Sequence, residues 1–266
     1  MLALVRTASL ILLLAVLGGC GGSGGGSPTT ATTSSALAGK PPRDALNAMA
    51  DALERVDSYR MEGTTTDRDG TTRVTSDVAG SGDLRVHLDH AGSVATLLVV
   101  DGTTYVRANR RFWLAEAGPD SRIVPLLAGR WIVLPASMMG DLSGTIAQSR
   151  PKNLAYCARL PTGTLTDRGT ASVGGMAVVV IADKGDRPGD APGEISIAAT
   201  GRPLPLRIRQ TGPTPPGGRR DSRCTSADDT TTASDLRLSR FGVPVHLTAP
   251  LDAVDPRNLR PSGTIA

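Results

Sequence analysis

Leu84-Arg85-Val86-His87-Leu88-Asp89, Ala91-Gly92, Val94-Ala95-Thr96-Leu97-Leu98-Val99-Val100, Asp101-Gly102 and Thr103-Thr104-Tyr105-Val106-Arg107 decide the fold. In the first run apolar and polar residues alternate, the period of a strand with one face buried. The second run is apolar but for Thr96, which predicts a strand buried on both faces. Ala91-Gly92 and Asp101-Gly102 are turn pairs, and Asp-Gly is a strong hairpin signal. Upstream, Tyr59, Met61, Gly63 and Thr65 alternate with Arg60, Glu62, Thr64 and Thr66. Asp69-Gly70 reads as the next turn, and Val74, Ser76 and Val78 then alternate with Arg73, Thr75 and Asp77. Five strands so closely spaced predict an antiparallel meander.

Before the meander, Pro41-Pro42 stops the preceding segment, and Asp44 is placed to cap a helix. Leu46, Met49, Ala50, Leu53 and Val56 recur at offsets of three and four, which puts one apolar stripe on one helix face. Asp51, Glu54, Arg55 and Asp57 lie mainly on the other face. After the meander, Ser121 to Gly129 suits a short helix. Met138, Leu142 and Ile146 recur every four residues and predict a helix from Ser137 to Gln148. Pro151 ends that helix or starts the next, and Leu154 to Leu160 reads as a second short one. Strands then return: Gly163–Arg168, Ala171–Val173, Met176–Asp183, the alternation of Ile195, Ile197 and Ala199, and that of Leu204, Leu206 and Ile208. Thr211–Thr231 is a long polar loop carrying Cys224. Leu236 and Leu238 mark a last strand before Phe241-Gly242.

The architecture expected is mainly β, of α+β type: helix, meander, short helices, second meander. A sheet with one apolar face must cover that face. The helices are few and short for so large a sheet, so a curved sheet wrapped around them is the economical arrangement. Such a wrap leaves an apolar cavity.

Composition agrees. Of 266 residues, 39% are hydrophobic and only 3% aromatic, with 31 Gly and 19 Pro, which excludes a coiled coil and suits a turn-rich β protein. A net charge of +4 is small for the length and gives no nucleic-acid footprint.

The start of the chain reads as an address. Arg6 precedes the apolar run Ala8–Leu17, which is too short to span a membrane. Leu17-Gly18-Gly19-Cys20 fits the bacterial lipobox, so Met1–Gly19 is expected to be a lipoprotein signal peptide and Cys20 the lipidated residue. An ordinary secretory signal is the plainer alternative. Two acyl chains would hold the protein lastingly on the outer leaflet of the cell membrane, facing the extracytoplasmic space. The organisation expected is therefore 1–19 signal peptide, 20–40 lipidated cysteine and Gly/Ser/Thr tether, 41–250 folded domain and 251–266 irregular tail.

Catalytic and metal chemistry is not assembled by the sequence. Gly21-Gly22-Ser23-Gly24-Gly25 matches a nucleophile elbow but lies in the tether, without the strand and helix that motif needs. Ser149-Arg150-Pro151-Lys152 spells Ser-x-x-Lys without its partner motifs. His87 and His90 are three apart in a strand and face opposite ways, and His246 stands alone. The reading is of a protein that is not an enzyme and carries no cofactor or metal. Once Cys20 is lipidated, Cys157 and Cys224 remain, and two cysteines in an oxidising compartment pair as a disulfide, the alternative being two free buried thiols. Leu46, Met49 and Leu53, with Met138, Met139, Leu142 and Ile146, are the candidate lining of a ligand cavity. An ordinary sealed core is the alternative for the same residues.

Several segments also fall in a familiar order: Val100-Asp101-Gly102-Thr103-Thr104-Tyr105-Val106-Arg107, Phe112-Trp113, Gly129-Arg130-Trp131-Ile132-Val133-Leu134-Pro135, Ala199-Thr200-Gly201-Arg202-Pro203-Leu204-Pro205-Leu206-Arg207-Ile208 and Leu238-Ser239-Arg240-Phe241-Gly242-Val243-Pro244-Val245. Over Ala45 to Pro250 the series resembles the actinobacterial envelope lipoproteins of the LppX/LprG type. More distantly it is similar to the lipoprotein carrier LolA. The resemblance implies a curved antiparallel half-barrel with helices on its concave face and, between them, a cavity that takes acyl chains. It implies binding of lipid or another hydrophobic ligand and carriage across the envelope. A LolA-like domain also acts as a non-catalytic envelope sensor that binds a protein partner, which is the second reading.

Overall fold

The computed structural model describes residues 37–119, 121–135, 149–217, 224 and 231–258. The expected lipidation site Cys20, the signal peptide, most of the tether and the expected helix Ser137–Gln148 lie outside the described residues.

The first helix, α1 (Pro42–Leu53), buries Leu46, Met49, Ala50 and Leu53, the stripe its sequence marks out. Its start differs from the expectation. Pro41 stands at the N-cap without a side-chain bond and Pro42 opens the first turn, where a missing N–H costs nothing. Asp44 therefore lies inside the first turn, where its charge favours the helix dipole.

Five antiparallel strands follow: β1 (Ser58–Asp67), β2 (Gly70–Ala79), β3 (Leu84–His90), β4 (Ser93–Val100) and β5 (Thr103–Ala108). Ala91 and Gly92 have φ of +48° and +82°, and Asp101 and Gly102 of +50° and +75°. Two left-handed residues in succession give the two-residue turn whose twist matches the flanking strands. The Asp69-Gly70 turn is displaced by one residue from its expected place. Gly70 already pairs with Asp67, so the loop is Arg68-Asp69, and Asp67 Oδ1 accepts from the Asp69 and Gly70 N–H groups.

Helix α2 (Arg110–Ala117) was not anticipated by the periodicity. Asn109 caps it by accepting from the Phe112 N–H at 2.9 Å. A short helix, α3 (Val124–Leu127), lies inside the expected 121–129 span, and β6 (Trp131–Val133) follows. Helix α4 (Pro151–Arg159) starts on its proline.

The second meander is β7 (Leu165–Val173), β8 (Met176–Asp183), β9 (Gly193–Ala198), β10 (Pro205–Gln210) and β11 (Ala233–Ser239). The two strands expected on either side of Gly169 are one strand with an irregularity between Asp167 and Thr170. The tail is not wholly irregular either. Val254 bridges Ile132 in parallel, Val133 N–H donates to its carbonyl, and its own N–H donates to Trp131. This pairing covers the outer edge of β6, which would otherwise offer free backbone groups.

All eleven strands form one antiparallel sheet in the order β6-β5-β4-β3-β2-β1-β11-β10-β9-β8-β7. The two meanders meet where β1 pairs with β11. At that seam Gly63 faces Leu236, and a Cβ on it would stand 1.9 Å from the Asp235 carbonyl oxygen. The close approach of the two backbones requires glycine there.

Candidate functional site

The alternation of the strands builds an apolar concave face. In register across the first meander, Ile132, Val106, Leu97, Val86, Ser76 and Met61 stand side by side. Beyond the seam, Leu236, Ile208, Ile195 and Ile181 continue in register. Apart from Ser76 these side chains are apolar, and all are buried. Eleven strands at their usual spacing extend the face over about 50 Å.

Helices cover its flanks. α1 and α4 pack on each other, and α1 lies on β7 and β8. Arginines fix the pair. Arg43 Nη1 donates to the Ala158 and Leu160 carbonyls at 3.1 Å each, closing the end of α4. Arg202 does the same for α1 at the Ala52 carbonyl, 3.1 Å away. Arg159 holds Asp51 at 2.6 Å and Glu54 at 2.7 Å. Cys157 on α4 is joined to Cys224 with a Cα–Cα distance of 5.5 Å, so the long polar loop is tied to the helical layer. At the other flank, Trp113, Val124 and Leu127 of α2 and α3 form a second cluster with Ala95, Val106 and Ile132.

Between the flanks lies the strip β1–β2–β3, with Tyr59, Met61, Val74, Val78 and Val86 on its concave side. Burial pushes the Tyr59 phenol well above its ordinary value, and its O–H donates to the Ser149 carbonyl at 2.5 Å. Leu134, just after β6, touches both clusters. Ser149, where the described chain resumes after Pro135, is thus held at Tyr59 in mid-sheet.

The structure brings three of the expected cavity residues together. Leu46, Met49 and Leu53 are 1%, 0% and 1% exposed, in one cluster with the strip and with Ile181 and Ile195. Met138, Met139, Leu142 and Ile146 lie outside the described residues. His87 and His90 face opposite sides of β3, bonded to Thr96 and Thr72 respectively. Among the described residues no group of three metal-ligating side chains converges. Sequence reasoning missed the arginine caps and the Tyr59–Ser149 bond. Each joins residues far apart in the chain, and the signal was only the abundance of arginine.

The fold has counterparts among solved structures. LprF from Mycobacterium bovis matches with a TM-score of 0.50 at 15% identity, over 79% of this chain and 96% of that one. The chain shares the fold of that structure. The Mycobacterium tuberculosis lipoprotein LppX matches at a TM-score of 0.46 and 13% identity, over 78% of this chain and 98% of that one. MucB matches at a TM-score of 0.37 and 19% identity, over 79% of this chain and 62% of its own. At such identities the likeness is one of fold alone. No protein-family model matches the chain, and no curated protein does.

Proposed function

We propose that the protein is an extracytoplasmic lipoprotein, anchored through lipid on Cys20 to the outer leaflet of the cell membrane, that binds a lipid or similar hydrophobic ligand between its sheet and its helices and carries it through the envelope. The observation that supports this reading is the long, mainly apolar face of the sheet, with the described helices seated at its two flanks. Two helices side by side roof only about 20 Å of it. Leu134 on one side of the strip and Ser149, bonded to Tyr59, on the other are the described residues nearest residues 136–148. In this reading Met138, Met139, Leu142 and Ile146 cover the strip, Leu46, Met49 and Leu53 form the wall beside it, and an acyl chain enters between them. Burial of the chain drives binding at about 25 cal/mol per Å² of apolar area. Binding of this kind needs no catalytic residue and no cofactor.

Native mass spectrometry of the full-length protein, extracted from membranes in mild detergent, tests the proposal. Co-purifying lipid that a fluorescent fatty acid displaces is expected. A protein that is always empty and excludes the probe would overturn it. Labelling with a radioactive fatty acid in cells should tag the wild type and leave Cys20→Ala untagged.

One observation favours the second reading, a module that binds a protein partner. β7 ends the sheet, and it is exposed from Asp167 to Ser172. An open edge accepts an added strand. Crosslinking in cells that captured a stoichiometric protein partner through residues on β7 would support that reading over ligand carriage.

A further inference from the structure

A separate cavity of about 250 Å³ lies on the opposite, convex side of the sheet. Its floor is a row of three charged residues on adjacent strands, Arg60 of β1, Asp77 of β2 and Arg85 of β3, directly opposite one another. Arg60 Nη1 stands 3.0 Å from Asp77 Oδ1, and Arg85 Nη2 2.7 Å from Oδ2. Burial alone would raise the Asp77 pKa, but Arg85 and Arg60 outweigh it and hold the carboxyl below its ordinary value.

The wall is the segment Arg240–Leu247, which follows β11. It is tied to β1 at Ser58: Gly242 N–H donates to the Ser58 carbonyl at 2.8 Å, and Ser58 Oγ donates to the Val243 carbonyl at 2.6 Å. Arg240 adopts a left-handed backbone, φ +53°, at the turn into this segment. Arg240 is the third arginine among the lining residues, and no ion pair joins it to a carboxylate among the described residues. His246 adds an imidazole to the lining.

The charges do not cancel. Three arginines, Arg60, Arg85 and Arg240, line the cavity with Asp77 as its one carboxylate, and positive charge stays in excess even with Glu62 counted beside Arg60. Donors are also in excess. Each guanidinium carries five N–H groups, and Asp77 takes one bond from Arg60 and one from Arg85. Glu62 meets Arg60 at 3.5 Å but is itself half exposed to water and outside the cavity. Asp77 thus holds two arginines in fixed positions and leaves most of their donors open.

We propose that this convex pocket binds a phosphomonoester. The excess of positive charge and of free N–H donors favours a phosphate dianion, with its three acceptor oxygens, over a carboxylate with two. Planar guanidinium forks suit phosphate oxygens. The remaining volume, beside Val243, Pro244 and Val245, accepts a small organic body. The phosphate could come from a soluble metabolite or from the headgroup of a membrane lipid. Either source uses the same three arginines, and neither depends on the concave ligand face.

The test uses the full-length chain in nonionic detergent, titrated calorimetrically with glycerol 3-phosphate and followed by phosphorus NMR. In a second arm the micelles carry phosphatidic acid or phosphatidylcholine. Saturable binding at one site is expected, weakened about tenfold by Arg240→Gln and by Arg85→Gln, the loss of one charge-assisted bond. Arg240→Gln should leave thermal unfolding unchanged. Binding confined to glycerol 3-phosphate assigns a soluble ligand, and tighter binding to phosphatidic acid micelles assigns a lipid headgroup; each supports the proposal. No saturable binding in either arm, or binding that Arg240→Gln leaves intact, overturns it.

Discussion

The two faces of strands β1–β3 are one backbone apart and have opposite chemistry. On the concave side Tyr59, Val78 and Leu84 stand in register, all of them closed to solvent. On the convex side their chain neighbours Arg60, Asp77 and Arg85 form a charged row beneath an open cavity. A period of two lets ten residues of strand serve two separate surfaces. Carboxyls show the same contrast. Asp77, on the convex side, is held below its ordinary pKa by arginines. Asp183, in register with Gly193 next to Ile181 and Ile195, lies on the concave side. Its pKa is pushed up to about 6 by burial first, with the nearby Asp190 charge adding and the Gly185 N–H opposing.

These differences can be broken one at a time. The largest effect should come from the disulfide that ties the long loop to the concave helices. Replacing Cys157 and Cys224 by serine opens a loop of 67 residues' separation. That should lower unfolding stability by about 4 kcal/mol, read by chemical denaturation. Next is the concave core: Leu53→Ala should cost about 3 kcal/mol by the same measurement. A value under 1 kcal/mol would show that the side chain is not packed as described.

Asp183 sharpens the contrast through pH. Its folded pKa lies above its unfolded one, so its contribution is fully present below about pH 4 and is lost as pH rises through about 6. Stability should fall by about 2 to 3 kcal/mol over that interval. Asp183→Asn keeps an acceptor for Gly185 N–H and should flatten the profile. An unchanged pH profile in the variant would refute the assignment. Asp77 should act in the reverse sense and more weakly. Its stabilisation is present above the unfolded carboxylate pKa and is lost as pH falls through its lowered folded value. Asp77→Asn leaves two arginines without their shared carboxylate and should cost about 1 to 2 kcal/mol at neutral pH, and little once the pH is below the lowered folded value of Asp77.

Much of the fold was legible because it is local. Alternation placed β1 to β5, the glycine turns placed most of the hairpins, and the 3–4 spacing of Leu46, Met49, Ala50 and Leu53 placed α1. Helix α2 escaped because its eight residues bury only Trp113, too little for a stripe. Asn109 before Arg110 was the available signal. Val254 on β6, Ser149 on Tyr59 and Arg240–Leu247 over Arg60 were illegible for a different reason. Each depends on where the chain returns after a long excursion, which no local period encodes. The concave face could be read from the sequence, and the convex pocket could not, since its wall and floor come from opposite ends of the domain.

The seam between β1 and β11 has a consequence for biogenesis. A polypeptide is made from its N-terminus, so the first meander is complete long before Ala233 arrives. Until then β1 carries a bare edge, with Met61 beside it, in the middle of what will become a continuous sheet. A polypeptide stalled or clipped ahead of β11 would present two half-sheets with unpaired backbones, a template for aggregation. Late delivery of one seven-residue strand decides whether the domain closes or stays open to proteolysis.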